Sequence, residues 1–194
     1  MSGFKDKIKK TREYLDYLEK HYDNVQKAFE EFTRRTCHKN FIKKYNNFSL
    51  DTKLWDSYQY EGLKAMIQSH DLSKLDDEEF GAYRRNFFPL NEEEKLFNKD
   101  NFKIAWEHHK KENKHHWQSR VNLPHNKSFS GFYNTYLAIE NAMDWIAMAY
   151  EFNETPLNKY YLENKDKIEL SNNDKYIIEK VYEIMMDKDL DIEE

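Results

Sequence analysis

Apolar side chains recur at steps of three and four along most of this chain, the period of a helix with one buried face. From Phe4 to Phe32 the positions Ile8, Tyr14, Leu15, Leu18, Val25, Ala28 and Phe29 continue one such stripe, which predicts a single long helix. His21 falls three residues after Leu18 and four before Val25, so it points with the stripe toward the interior. An asparagine-rich stretch over 38–52 reads as an irregular connection. Helical spacing then resumes at Leu54, Tyr58, Leu63, Met66 and Ile67, and His70 extends that face.

Start and stop signals divide the rest. Asp76, Asp77, Glu78 and Glu79 predict a cap and an acidic first turn for a helix through Phe80, Tyr83, Arg84 and Phe87, which Pro89 limits. Asn91 before Glu92, Glu93 and Glu94 marks another start. A helix from near Asp100 carries Phe102, Ala105, Trp106 and His109 on one face and turns His108 elsewhere, and residues 117–131 read as a loop. Phe132 to about Phe152 predicts a helix with a broad apolar face through Tyr136, Leu137, Trp145 and Ile146, interrupted by Glu140, Asn141 and Asp144. Thr155-Pro156 predicts a cap with proline at the first helical position. A last helix after Ser171 turns Ile177, Val181, Ile184 and Met185 inward. The expected fold is all-α, one helical bundle over residues 1–194 with a core of about 10–170 and a C-terminal helix, 171–190, appended to it.

Composition supports long helices: among 194 residues there are 4 Gly and 3 Pro, too few for a turn-rich β-protein. Aromatic residues at 16% exclude a solvated disordered chain despite 35% charged residues. A formal charge of -5 argues against general nucleic-acid binding, and the basic N-terminal cluster of Lys5, Lys7, Lys9, Lys10 and Arg12 reads as a solvated face. Cys37 is the single cysteine, no apolar run is long enough for a membrane span, and the N-terminus lacks a secretory pattern, so a cytoplasmic protein is expected. The many Tyr and Phe side chains offer enough apolar surface for a homodimer face, although most should be core.

The candidate chemistry lies in the histidines and in one misplaced carboxylate. His70-Asp71 pairs an imidazole with an oxygen donor, and His108, His109, His115 and His116 follow within a short stretch. His109, Asn113 and His116 share a face if that helix continues past 113. Asp144 sits in the most apolar helix between Met143 and Trp145, where an uncompensated carboxylate would cost several kcal/mol. A buried ion pair or a bound cation would each compensate it.

The order His21, His70-Asp71, Asp144 on separate helices resembles the ligand pattern of the HD-domain metal-dependent phosphohydrolase superfamily. The run His70-Asp71-Leu72-Ser73-Lys74 with Glu79 and Phe80, the pattern Ala-Trp-x-x-His-x-x-x-Asn-x-His-His at 105–116, and Met143-Asp144-Trp145-x-Ala147-Met148 resemble more closely an HD-like family of bacteria and phages without an established substrate. That resemblance spans about residues 10–170. It implies that His21, His70, Asp71 and Asp144 hold one divalent ion, and that His109 with His115 or His116 holds a second, with Asp71 bridging. The ion would be Mn, Mg, Co, Ni, Zn or Fe. It further implies hydrolysis of a nucleotide or other small phosphoester, with Asp71 and Lys74 catalytic. Lys74 and Asn113 would meet the substrate, as would Arg84 or, less directly, Arg85. Two other classes are carried beside this one: an HD-type di-iron oxygenase, suggested by the extra histidines, and a non-catalytic binding protein that metal stabilises.

Overall fold

In the computed structural model, which describes residues 3–45, 57–121 and 131–191, the N-terminal stripe forms one helix, α1 (Phe4–Thr36). Its buried side runs through Tyr14, His21, Val25, Ala28, Phe29 and Phe32, as the period requires. The connection expected to be irregular contains a short helix, α2 (Lys39–Lys44), because the His38 ring accepts a hydrogen bond from the Asn40 N–H at 3.2 Å and so caps it. The remainder of that connection and Leu54 lie outside the described residues. Helix α3 (Ser57–Gln68) buries Leu63 and Ile67 and ends before His70. Asp71 leaves it at φ 56°, a left-handed conformation that Asp tolerates better than most residues.

Helices α4 (Phe80–Phe87), α5 (Glu92–Phe97) and α6 (Lys99–Glu112) follow. The Asn91 side chain accepts from the Glu94 N–H at 2.8 Å and starts α5 as expected. The start of α4 departs from expectation: no side chain caps it, and Glu79, read as part of a capping acidic turn, is completely buried. Helix α6 stops at Glu112 instead of running on to His116, since Asn113 turns to an extended ψ of 92° and its amide bonds back to the His109 carbonyl at 3.0 Å. In the expected loop over 117–131, Trp117–Ser119 forms a 3-10 turn, Gly131 already begins a helix, and residues 122–130 lie outside the described ones.

Helix α7 (Gly131–Glu151) is the centre of the molecule and packs on α1, α3 and the two last helices, α8 (Lys159–Asn164) and α9 (Asn172–Met185). Pro156 does not open α8, because the Lys159 N–H donates to the Pro156 carbonyl in a turn that precedes the helix. The Ser171 hydroxyl caps α9 by accepting from Asp174 N–H at 3.0 Å. Helix α9 is no appendage: Ile178, Val181 and Ile184 are fully buried, and the helix packs against both α1 and α7. The chain is a single all-α domain, and no strand occurs among the described residues. None of the helices searched is long and apolar enough to cross a membrane.

Two apolar clusters fill the interior. The larger joins the second half of α1 to α3, α7, α8 and α9, from Val25 and Phe32 to Met143, Ile146 and Val181. The smaller joins the first half of α1 to α4 and α6 through Tyr14, Tyr83 and Ala105, with Phe80, Phe88 and Trp106 against it. Along α1, His21 lies between Tyr14 of the smaller cluster and Val25 of the larger, so the polar residues described next occupy the seam between them.

Candidate metal centre

Five segments bring donors to this seam: α1 with His21, the turn after α3 with His70 and Asp71, α6 with His109, the segment after α6 with His115 and His116, and α7 with Asp144. Asp71 is the hinge of the arrangement. Its Oδ2 lies 3.5 Å from His70 Nε2 and 3.8 Å from His21 Nε2, while its Oδ1 lies 3.2 Å from His109 Nε2 and 3.7 Å from His115 Nε2. Asp144 faces the first side, with Oδ1 3.3 Å from His21 Nε2 and 3.7 Å from His70 Nε2. His116 closes the second side, its Nε2 2.8 Å from His109 Nε2.

Donors bound to one ion at about 2.0–2.2 Å sit roughly 3–3.5 Å from each other. Several of the spacings above fall in or near that range. Four triads have donor atoms within 4.8 Å of one another: His21, His70, Asp144; His70, Asp71, His115; Asp71, His109, His116; and His115, His116, Asp144. These buried groups could hold a metal ion. The fit can be tested on the donors themselves. His70 Nε2, His115 Nε2, His21 Nε2 and Asp71 Oδ1 are buried without a hydrogen-bond partner, a costly condition that a shared cation removes, while His21 Nδ1 is also without one. Metal coordination therefore suits this donor set.

Two glutamates set the imidazoles. Glu140, one helical turn before Asp144 on α7, places Oε1 3.1 Å from His70 Nδ1 and 3.2 Å from His115 Nδ1. A carboxylate accepts only, so each Nδ1 carries a proton and each Nε2 is left facing the seam, where a bound cation would displace any proton and take its lone pair. Glu79 does the same from α4's N-terminus, accepting from His109 Nδ1 at 2.7 Å and His108 Nδ1 at 2.8 Å. Asn113 Nδ2 donates to Ser73 Oγ at 2.7 Å, and that hydroxyl lies 3.3 Å from His109 Nδ1. Burial opposes charge on His70, His109, Asp71, Asp144, Glu79 and Glu140, yet their neighbours favour it. Asp71, Asp144 and Glu140 push His70 up to about 10 against its burial. Against the same penalty, His70, Lys74 and His109 keep Asp71 well below the carboxylate range, and His21 and His70 keep Asp144 there. His116 goes the other way, its basicity lowered by burial and by His115 beside it.

Of the residues singled out in the sequence, His21, His70, Asp71, His109, His115, His116 and Asp144 meet at the seam, and His115 and His116 both reach it. Lys74 stands beside them, its Nζ 2.5 Å from Asp71 Oδ2. Arg84 does not: its guanidinium makes a two-pronged pair with Glu94 at 2.8 and 3.0 Å. Arg85 is bonded to Asn98 at 2.9 Å. Asn113, expected to face substrate, lies behind His109 and Ser73 instead, because its backbone ends α6 there. Glu79, Glu140 and Ser73 were missed as site residues. The position of Glu140, four before Asp144 in an apolar helix, was a usable signal, whereas Glu79 was masked by its acidic neighbours.

A cavity of about 490 Å³ opens onto the seam. His21, Asp71, His109, His116 and Asp144 form its floor together with Lys74, and Tyr83, Trp106 and Trp145 are among its walls. A second hollow also reaches His21, His70 and Asp71, and Leu15, Leu18, Leu72 and Leu75 are among the residues that line it. No curated protein and no solved structure matches the chain. Residues 10–184 match the family of unknown function DUF5662, and the chain belongs to that family.

Proposed function

We propose that this chain is a metal-dependent phosphohydrolase of the HD type, acting on a nucleotide or another small phosphoester. The observation that carries the reading is the division of Asp71, whose Oδ2 faces the Nε2 atoms of His21 and His70 while its Oδ1 faces those of His109 and His115. His21, His70, Asp71 and Asp144 would hold one ion, His109 with His116 or His115 a second, and Asp71 would touch both. Bound divalent ions supply an acidified water, with a pKa lowered from 15.7 to about 7, and positive charge for a phosphoryl group.

The chain's own part is to orient and exclude. Glu140 and Glu79 fix the imidazoles, Lys74 offers an ammonium to a phosphate oxygen on the cavity floor, and the aromatic walls keep bulk water from the phosphate. A di-iron oxygenase is the second reading, favoured by the leucine-lined hollow that gives a small apolar molecule such as dioxygen its own approach to His21 and His70.

Elemental analysis of the purified protein, beside phosphate release from a panel of nucleotides and aryl phosphates with added Mn²⁺, tests the reading. Asp71→Ala is expected to abolish both bound metal and release. Undiminished release in that variant would remove this centre from the reaction, and oxygen uptake with iron but no phosphate release would select the second reading.

A further inference from the structure

The cavity above the proposed centre has a chemistry of its own. Nine of its lining residues are Phe, Tyr or Trp, whereas Lys74 is the one Lys or Arg among the described lining residues. That single ammonium is already 2.5 Å from Asp71 and lies over the Tyr83 ring, so it sits on the floor. Farther out, Trp145 packs on Tyr160 with ring centroids 5.4 Å apart, and Phe152 and Tyr160 remain 64% and 46% exposed although they line the cavity. The other lining carboxylates besides Asp71 and Asp144 are Glu154 and Glu163, and both belong to this outer part of the wall, beside Phe152 and Tyr160 in sequence.

We propose that this cavity takes a molecule with one phosphate and a flat aromatic body, and turns away chains of two or three phosphates. The proposal rests on the phosphohydrolase reading for the placing of the phosphate on the floor. The rest follows from what lies above that floor. A terminal phosphate held at the floor leaves the remainder of the molecule to run outward along the wall. An aromatic ring there gains stacking against Trp145, Phe152 and Tyr160, which is sequence-tolerant and sizeable for nucleobases. A polyphosphate there meets apolar rings and then two carboxylates, of which Glu154 is ion-paired with the half-exposed Lys159 at 2.9 Å and Glu163, among the described residues, is not, so each added negative charge is desolvated among the rings and repelled at Glu163. The volume of about 490 Å³ is that of a small-molecule site, large enough for a nucleoside monophosphate.

The test is a binding measurement that does not need turnover. Quenching of tryptophan fluorescence would be followed in the Mn²⁺-loaded full chain, with free Mn²⁺ held constant, on titration with AMP, ATP and ribose 5-phosphate. AMP is expected to bind at least about tenfold tighter than either of the others, since a stacked base and an avoided charge clash each contribute on that scale. Phe152→Ala should weaken AMP by about five- to tenfold and ribose 5-phosphate hardly at all. Glu154→Gln together with Glu163→Gln should narrow the gap between AMP and ATP several-fold.

Equal or tighter binding of ATP, equal binding of ribose 5-phosphate, or no binding of any of the three overturns the proposal. Its fate is separable from that of the reaction, which phosphate release from phenyl phosphate decides. Release with unselective binding removes the selectivity and leaves the hydrolase; selective binding without release does the reverse.

Discussion

Helix α1 carries two polar clusters, about 21 Å apart at 1.5 Å per residue, and they are built on opposite principles. Around Arg35 every group is answered. Its guanidinium bonds Glu31 at 2.6 Å, the Asp187 carbonyl at 2.8 Å, the Ile184 carbonyl at 3.2 Å, and Asp191. Asp187 in turn takes Lys44 and the Tyr45 hydroxyl, each at 2.8 Å. Around His21, by contrast, carboxylates secure the far side of His70, His109 and His115, while Nε2 of His21, His70 and His115 is left without a hydrogen-bond partner beside Asp71 and Asp144. Matched polar atoms tie α1 to the end of α9. Unmatched ones, held just as firmly, form a receptor for charge.

The comparison is broken most directly by a cation. If the unmatched cluster is a receptor, Mn²⁺ at a hundred times its dissociation constant should add about 2.7 kcal/mol to the stability of the wild type. For a domain of this size that raises the Tm by roughly 5–10 °C. Asp71→Asn should abolish the rise, while an Asp187→Asn protein should keep it in full. Differential scanning fluorimetry of chelated and reloaded protein reads all three, and an equal rise in the Asp71→Asn chain would show that the metal binds elsewhere.

A smaller effect separates the donors from the groups that orient them. Glu140 touches no proposed ion; it aims His70 and His115. Glu140→Gln keeps the shape but replaces an acceptor-only carboxylate with an amide that can present either its oxygen or its NH₂ group to those rings. Metal affinity should fall by about 10–100-fold, the usual cost of losing such a partner. Calorimetric titration with Mn²⁺ measures it, with the far-ultraviolet circular dichroism unchanged. An unaltered affinity would mean that packing alone sets the two rings.

How far this division was legible in the sequence depends on what kind of signal each residue leaves. The α1 stripe, the inward turn of His21 and the anomaly of Asp144 were legible because apolar periodicity marks a buried face, and a polar residue on that face stands out. Glu79 is buried completely, yet in a run of four acidic residues nothing distinguishes the one that turns inward. Arg84 looked available for phosphate because its partner Glu94 comes from across the Pro89 turn, a contact no local pattern encodes. The end of α6 stays open in the sequence for a related reason: Asn113, whose extended backbone ends the helix, is also held by Ser73, forty residues away in the chain. Helix α9 showed its apolar face plainly, but where that face docks is a property of α1 and α7.

The smallest predicted effect belongs to the matched cluster and has a definite dependence on pH. Burial alone would raise the pKa of Asp187, but hydrogen bonds from Lys44 and Tyr45 lower it below the usual 3.8. A carboxylate whose folded pKa is depressed adds stability that is present above its unfolded pKa and is lost as the pH falls through the folded value. Asp187→Asn should therefore cost about 1 kcal/mol near pH 7, the scale of one buried hydrogen bond, since the exposed Lys44 adds little. The deficit should persist down to about pH 4 and shrink below pH 3, where the wild-type carboxylate is itself being protonated. Urea unfolding of both proteins between pH 2 and pH 7 checks this. A deficit independent of pH would assign the loss to the Tyr45 hydrogen bond alone. A deficit that grew toward low pH would contradict the depressed pKa, and with it the view that this end of α1 is held by matched charge.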